Sequence, residues 1–209
     1  MKIKLLCILG ETASGKDSIV NEALNRQTKY NIRKVCSYTD RPMRVGETDG
    51  VEHYFVTTDE FNKLMKDRYN DIIAYTRIKN DKQKDYDGYQ YMAFNDELDK
   101  SHIYIIDYEG LKYLKKLYSN SIDIVSIYIH APLKTRLQRA STRSDFETEF
   151  KDRVIAEEEQ FKEFRKLKLY DYKIENVDGA LDKSINKLCN IIEYELIKSN
   201  ISNAPISRH

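Results

Sequence analysis

The sequence predicts an α/β fold with a parallel-sheet core and helices on both faces of the sheet. An apolar segment at residues 2–9 is followed by a glycine loop and then by apolar residues at helical spacing over residues 17–25. Residues 103–106 and 122–129 are almost continuously apolar, as parallel strands buried on both faces usually are. A strand, a loop and a helix in this order open many α/β domains.

Length and charge bound the class of protein. The chain has 209 residues, with 35 Lys and Arg against 34 Asp and Glu and a formal net charge of +1. This length fits one domain, and the near-zero charge argues against a dedicated nucleic-acid binder. No apolar run reaches the roughly 18–20 residues of a membrane span, and residues 3–9 are not followed by the cleavage site of a secretory signal. We therefore expect neither a nucleic-acid nor a membrane partner.

The cysteines indicate the compartment. Cys7, Cys36 and Cys189 are widely spaced, and no CxxC pair or histidine cluster accompanies them. Such a sparse, odd count is typical of buried thiols in a reducing environment. We expect a cytoplasmic protein with no cysteine metal site.

Turn residues divide the rest of the chain. Strand-like runs at residues 35–38, 53–57 and 72–75 and a helix at 59–66 are expected around turns, and they indicate an inserted subdomain over residues 37–95. The core, residues 1–36 and 96–198, is predicted to add a strand at 172–175 and helices at 109–118, 133–139, 149–167 and 180–197. The tail, residues 199–209, is expected to be disordered.

The glycine loop matches the pattern of a phosphate-binding loop. Its two glycines let consecutive backbone N–H groups turn toward one anion, and the following helix adds its positive N-terminus. A lysine directly after the second glycine reaches the β- and γ-phosphates of a nucleotide. An ordinary turn between a strand and a helix is the alternative. The predicted nucleotide-binding residues are Gly10, Glu11, Thr12, Ala13, Ser14, Gly15, Lys16, Asp17 and Ser18.

Asp17 departs from this pattern, in which a Ser or Thr follows the lysine and holds Mg²⁺. A carboxylate is a good ligand for this hard cation, so Asp17 is a candidate metal ligand, directly or through water. It can equally be a first-turn charge that interacts favourably with the helix dipole. Ser18 supplies the next hydroxyl.

A second group of polar residues lies in the turn-rich residues 37–56. Arg41 and Arg44 are three positions apart, with hydroxyl side chains before and after them. Guanidinium groups bind phosphate oxygens in pairs, and hydroxyls complete the shell. By composition alone, solvated surface arginines are the better interpretation.

The order of these residues resembles guanylate kinases closely. The matching segment reads Ser37-x-Thr39-x-Arg41-Pro42-x-Arg44-x-Gly46-Glu47-x-x-Gly50, followed by an aromatic-Phe-Val strand and Glu60-Phe61. The phosphate loop precedes it, and Ile105-Ile106-Asp107-Tyr108-Glu109-Gly110, Ala131-Pro132 and residues 172–178 follow in the family's order. The resemblance covers about residues 4–195.

This resemblance implies transfer of the γ-phosphoryl group of ATP, with Mg²⁺, to a nucleoside monophosphate. It implies a monophosphate-binding insert and a closing lid over residues 140–152. The catalytic residues that it implies are Lys16, Arg41, Arg143 and Arg153. On the ATP side, the resemblance implies Arg139, as an alternative to Arg143, for the lid arginine, and it implies Asn176 as the residue near the adenine. The acceptor side comprises Ser37, Arg41, Arg44, His53 or the adjacent Tyr54, Asp87 and Asp107.

Three departures from the family concern the base and the metal. Ala74 stands where guanylate kinases have the Glu that accepts guanine's N–H donors, and Ile105 replaces an Asp near Mg²⁺. The Tyr-Gly-Ser/Thr stretch that follows has become Tyr86-Asp87-Gly88-Tyr89 after an insertion, so Asp87 or Asp85 is a candidate replacement acceptor. We expect GMP or dGMP as the acceptor, with weaker discrimination than is usual in the family.

Two alternatives remain at this point. The chain can be a kinase for another nucleoside or deoxynucleoside monophosphate, which base selectivity would decide. It can also be a non-catalytic protein-binding module, although such modules lose the phosphate loop, which is present here.

Two charged runs are predicted to be solvated helical faces. The first contains Lys112, Lys115 and Lys116, and the second contains Glu157, Glu158 and Glu159. For the acidic run, a cluster that faces the lid is the alternative.

Overall fold

The computed structural model describes residues 3–28, 31–78, 88–98, 102–141 and 151–202, and these residues form two four-stranded sheets with helices packed around them. The strands are β1 Ile3–Leu9, β2 Ser37–Thr39, β3 His53–Phe55, β4 Ile72–Ile78, β5 Tyr89–Phe94, β6 Ile103–Ile105, β7 Ile122–His130 and β8 Tyr172–Glu175. The α-helices are α1 Lys16–Arg26, α2 Thr58–Asp67, α3 Tyr108–Tyr118, α4 Leu133–Ala140, α5 Lys151–Leu167 and α6 Leu181–Ser202.

The core sheet is parallel and has the strand order β6-β1-β7-β8. Because side chains alternate along a strand, β1 contributes to two hydrophobic clusters. Leu5, Cys7 and Leu9 pack in the cluster that contains buried residues of α3 and α5. Leu6 and Ile8 pack with α1 and α6 on the opposite face. The prediction of a parallel core with helices on both faces is confirmed.

The second sheet is formed by residues 37–94 and has the order β3-β2-β5-β4. Only the β2–β3 pairing is parallel; β5 pairs antiparallel with both β2 and β4. One face of the sheet packs on α2 through Phe61, Met92 and Phe94. The other face contributes Ala74 and Ala93 to the cluster shared with α3. The second sheet is thereby packed against the core near the carboxyl end of β6.

Several predicted boundaries differ from those observed. Strand β2 begins at Ser37 and not at residue 35, β4 extends to Ile78, and β5 was not expected from the sequence. Helix α6 continues to Ser202, so the expected disorder is wrong for residues 199–202, because a formed helix adds one hydrogen bond for each further residue. Residues 203–209, and residues 142–150 of the predicted lid, lie outside the described residues.

Within the described ranges, none of the helices is long and apolar enough to span a membrane.

Candidate active site

The phosphate loop connects the carboxyl end of β1 to the first turn of α1. Two of its residues adopt left-handed backbone conformations, Ala13 with φ 62° and Gly15 with φ 88°. A Cβ on Gly15 would also lie 2.5 Å from Asn176 Nδ2, so a glycine is required here for space as well as for conformation. Lys16 begins α1 in a half-buried position, and Asp17 is exposed in the first turn.

Asn176 and Arg139 cover the loop from the ends of β8 and α4. Asn176 Nδ2 donates to the Ser14 carbonyl at 2.7 Å, and Arg139 Nη1 donates to the same carbonyl at 3.3 Å. Arg139 Nη2 also donates to the Asn176 carbonyl at 3.0 Å. Among the described atoms, Ser14 Oγ and Asn176 Oδ1 are buried without a hydrogen-bond partner. Gly15 is therefore flanked by a buried hydroxyl and a buried amide oxygen, both of which can hydrogen-bond to a polar ligand.

Glu11, the second residue of the loop, is fully buried in a polar cluster. Its Oε1 accepts from Tyr128 Oη at 2.7 Å and from Arg165 Nη1 at 2.5 Å, and His130 Nδ1 lies 3.8 Å away. Burial by itself would raise the pKa of Glu11, but the interactions with His130 and Tyr128 and the charge of Arg136 hold that pKa at about 2. The carboxylate is therefore charged under all ordinary conditions and fixes one side of the loop.

Thr12, the next residue, is hydrogen-bonded to a carboxylate from helix α5. Glu157 accepts from the Thr12 backbone N–H and from Thr12 Oγ1, both at 2.6 Å. Arg136, which is 3% exposed, donates to the Thr12 carbonyl at 3.4 Å. The prediction that Glu157 belongs to a solvated face is wrong, because the side chain points at the loop and not at solvent.

Arg41, which the resemblance assigns to the acceptor phosphate, is buried and 4% exposed. Its Nη1 and Nη2 form a bidentate pair with the two oxygens of Glu47 at 3.0 and 2.9 Å, and its Nε donates to Tyr91 Oη at 3.2 Å. The Arg44 backbone N–H donates to the same Glu47 carboxylate at 2.7 Å. Glu47 therefore fixes both arginines of the turn, Arg41 by its side chain and Arg44 by its backbone.

His53 and Tyr54 point to opposite faces of β3. Ser37 Oγ lies 2.9 Å from His53 Nδ1, and the imidazole packs edge-on against Tyr91 at a centroid distance of 5.5 Å. Tyr54 lies on the other face of β3, where its ring packs on Tyr38 at 4.7 Å. Because side chains alternate along β3, His53 faces Ser37 and Tyr54 faces Tyr38, and this geometry favours His53 as the predicted phosphate contact.

Asp107 lies at the end of β6, where it caps helix α3. Its Oδ1 accepts from the Gly110 backbone N–H at 2.7 Å and from Thr76 Oγ1 at 2.9 Å. Burial raises the pKa of Asp107 above its ordinary value, although both hydrogen bonds oppose the shift. Beside it on the same sheet face, Ala74 pairs with Ala93 across β4 and β5, and these side chains are 2% and 0% exposed. The sheet face beside Asp107 is therefore apolar at Ala74 and Ala93.

The sequence matches the family model for guanylate kinase over residues 2–195. The chain belongs to the guanylate kinase family. The guanylate kinases of Rickettsia felis and Rickettsia prowazekii are each 30% identical to it, over 199 and 207 residues. These alignments cover 93% and 95% of this chain and 95% and 97% of the relatives. The crystal structure of guanylate kinase from Anaplasma phagocytophilum has a TM-score of 0.63 at 24% identity, and the match covers 93% of this chain and 87% of that one.

Membership in the guanylate kinase family leaves the individual site residues to be assigned from the geometry. The structure brings Arg139 and Asn176 to the loop. It brings Ser37 to His53, which packs on Tyr91, the hydrogen-bond partner of Arg41. Arg153 lies in the first turn of α5, but its side chain is outside the described part of the chain, as are Asp85, Asp87 and Arg143 altogether.

Several site residues of this guanylate kinase family member were not found from the sequence. Each of these missed residues has a charged or hydroxyl side chain, and its hydrogen-bond partner is distant in the sequence or lies in a turn. Glu157, Phe161 and Arg165 are spaced at four-residue intervals, and this was the one available signal that they share a face of α5. The missed residues are Arg136, Glu157, Arg165, Tyr91 and Thr76.

The pH dependence of stability offers a test of His53. Burial lowers its pKa from 6.5 to about 4, the charges of Arg41 and Lys34 act in the same direction, and the charges of Glu47 and Asp17 oppose them. Between pH 6.5 and 4 the unfolded imidazole therefore takes up a proton that the folded one does not, and stability falls as the pH falls through this window.

We expect His53→Gln to weaken this pH dependence. Between pH 7 and pH 5, the wild-type free energy of unfolding should drop by about 1–2 kcal/mol more than that of the variant. Denaturant titrations of both proteins at each pH measure this difference. Parallel losses in the two proteins would show that His53 is readily protonated in the folded state.

Proposed function

We propose that the chain transfers the γ-phosphoryl group of ATP to a nucleoside monophosphate, with GMP or dGMP as the preferred acceptor. The observation that supports this proposal is that one chain holds two built anion-binding elements. The phosphate loop, with left-handed Ala13 and Gly15, leads into the positive N-terminus of α1, and the buried Arg41 is oriented by Glu47 and Tyr91. A triphosphate would bind to the loop and a monophosphate to Arg41.

The donor side would bind ATP through the loop backbone and Lys16. The N–H groups that follow Ala13 and the positive end of α1 suit the β-phosphate, and Lys16 suits the β/γ oxygens. Arg139 and Asn176, which hold the Ser14 carbonyl, would border the adenosine. Positioning and charge stabilisation are most of what phosphoryl transfer requires of a protein.

The acceptor side would bind the monophosphate through Arg41, Arg44, Ser37 and His53. Arg41 is already oriented by Glu47 and Tyr91, so little side-chain entropy is lost when a phosphate binds beside it. The acceptor oxygen belongs to a phosphate anion, so the chain needs no general base. Arg143 from the predicted lid and Arg153 from α5 would add positive charge to the transferring group, and the lid would exclude water.

The donor set also suits Mg²⁺ brought in with ATP. Within the described ranges, no three His, Cys, Asp or Glu side chains cluster to hold a metal by themselves. Mg²⁺ usually binds through one or two carboxylates together with substrate phosphates and water, and the exposed Asp17 next to Lys16 matches this requirement. When bound, the ion would neutralise charge on the phosphate oxygens. Asp17 would ligate it directly or through water, and Ser18 is the neighbouring hydroxyl.

The position of the family's guanine-binding Glu offers no acceptor for guanine in this chain. Ala74 packs with Ala93 in the hydrophobic cluster shared with α3, and Asp107 Oδ1 already accepts from Thr76 and Gly110. A pocket that recognises its substrate mainly by shape discriminates by roughly 10–200-fold, whereas one with buried hydrogen-bonding groups reaches about 10⁴. Asp87 remains a proposed further acceptor.

We expect GMP and dGMP to be the best acceptors, but by less than about 10³-fold over other monophosphates. The measurement is ADP release with each of the eight ribo- and deoxynucleoside monophosphates at equal concentration, with wild type and Asp87→Asn. A preference for guanine above about 10⁴-fold that Asp87→Asn abolishes would overturn the relaxed-pocket prediction. Activity on another monophosphate alone would overturn the assignment of guanine and leave the two phosphate sites in place.

A further inference from the structure

Helix α5 is attached to the phosphate loop at two consecutive residues. Glu157 binds Thr12, and Arg165 binds Glu11, with Phe161 buried between them against Tyr128 at a centroid distance of 5.8 Å. Residues four positions apart lie on one face of an α-helix, so a single stripe of α5 makes all three contacts.

The contact of Glu157 with Thr12 uses both carboxylate oxygens. One accepts from the backbone N–H and the other from the hydroxyl, both at 2.6 Å. Hydrogen bonds to a charged group are shorter and about twice as strong as those between neutral groups. The Thr12 carbonyl accepts in turn from buried Arg136. The N–H, side chain and carbonyl of this one loop residue are therefore all held by residues from outside the loop.

The restraint on Thr12 affects the loop conformation, because Thr12 directly precedes a residue with a strained backbone. The next residue, Ala13, has φ 62°, a conformation that L side chains adopt at a cost of about 1–2 kcal/mol. Such a conformation persists only where the surroundings fix the backbone on either side. Downstream, Ser14 and Gly15 are covered by Asn176 and Arg139. Upstream, the restraint comes from Glu157.

We infer that Glu157 is a positioning residue for phosphoryl transfer. Glu157 holds Thr12, and the loop thereby keeps the backbone conformation in which its N–H groups converge on a phosphate. Glu157 also joins the loop to α5, the helix in which Arg153 lies one turn earlier. The residue acts through Thr12 and does not contact the reacting atoms. This inference rests on the proposed function, because its kinetic consequence is expressed in nucleotide turnover.

Glu157→Gln is the sharpest test because glutamine keeps the size of the side chain and one acceptor oxygen. It loses the charge and the second acceptor, so either the N–H or the hydroxyl of Thr12 is left without its partner. The matched control is Glu163→Gln, which removes the same charge from an exposed position of the same helix. Thr12→Val removes the hydroxyl alone and permits a double-mutant cycle.

We expect Glu157→Gln to lower kcat by about 10- to 100-fold, with ATP affinity reduced and the KM for the acceptor little changed. Glu163→Gln should match the wild type. Adding Thr12→Val to Glu157→Gln should lower kcat by less than the product of the two separate effects. Normal kcat and ATP affinity in Glu157→Gln, with only a lower denaturation midpoint, would overturn the inference, as would fully multiplicative effects in the cycle.

ATP titration without an acceptor separates this inference from the proposed function. If the wild type turns over no monophosphate, the proposed function fails. A weaker ATP affinity in Glu157→Gln than in Glu163→Gln would still support the inference that Glu157 positions the phosphate loop. Equal ATP affinities in the two variants would overturn that inference, whatever reaction the protein catalyses.

Discussion

Lys16→Met is expected to lower phosphoryl transfer by about 10³-fold or more while the protein stays folded. Lys16 occupies the first position of α1, where its ammonium group can follow the β/γ oxygens of a nucleotide bound to the loop. Methionine has a similar length and helix propensity, so the change removes the charge and little else. The measurement is ADP release at saturating ATP and GMP, with circular dichroism as the check on folding.

The matched control for this charge is Lys183→Met, at an exposed position of α6. It should retain wild-type turnover, because a surface lysine outside the loop contributes no local charge to the nucleotide. Near-normal turnover in Lys16→Met would contradict the assignment of residues 10–16 as the ATP-binding loop.

Arg41→Met is expected to lower kcat/KM for the acceptor by about 10³-fold and to destabilise the fold by about 2–3 kcal/mol. The two losses have different causes. Turnover falls because the guanidinium no longer meets the acceptor phosphate. Stability falls because Glu47, with 18% of its side chain exposed, loses the bidentate partner that lowers its pKa.

A second substitution separates these causes. In Arg41→Met/Glu47→Gln the unpaired carboxylate is gone, so the double variant should regain most of the lost stability and none of the lost turnover. Steady-state kinetics with varied GMP and denaturant unfolding of the wild type and the two variants measure both effects. Recovery of turnover in the double variant would show that Arg41 has a structural role alone.

The class of the fold was predictable because its signals are local. The apolar run of β1, the two glycines and the spacing of Ile19, Val20 and Ala23 belong to one short segment, and each element forms as its pattern indicates. Strand β5 was missed because Gln90, a polar residue, is one of its buried positions. In the structure Gln90 is satisfied by Asp40 and by Arg77, partners that the local pattern does not identify.

The site was predictable to a smaller extent, and the reason lies in sequence separation. The resemblance to guanylate kinases assigned Arg139 and Asn176 to the ATP side, and both contact the Ser14 carbonyl, although no spacing rule relates residue 176 to residue 14. The contact of Glu157 with Thr12 spans 145 positions and required the packing of α5 to be known. The choice between His53 and Tyr54 depended on which face of β3 points inward, and a one-residue shift reverses that.

The place of β1 in the core sheet has a consequence for how the protein is made. This strand is synthesised before the other strands, yet its neighbours are β6 and β7, and its register pairs Leu6 with Ile103 and Ile3 with Ile122. The whole segment up to β6 must therefore be synthesised before a neighbouring strand can cover the apolar β1. The strands of residues 37–94 pair with one another and can form their own sheet before that point. Because long-range parallel pairing is slow, we expect β1 to stay exposed longest in the nascent chain.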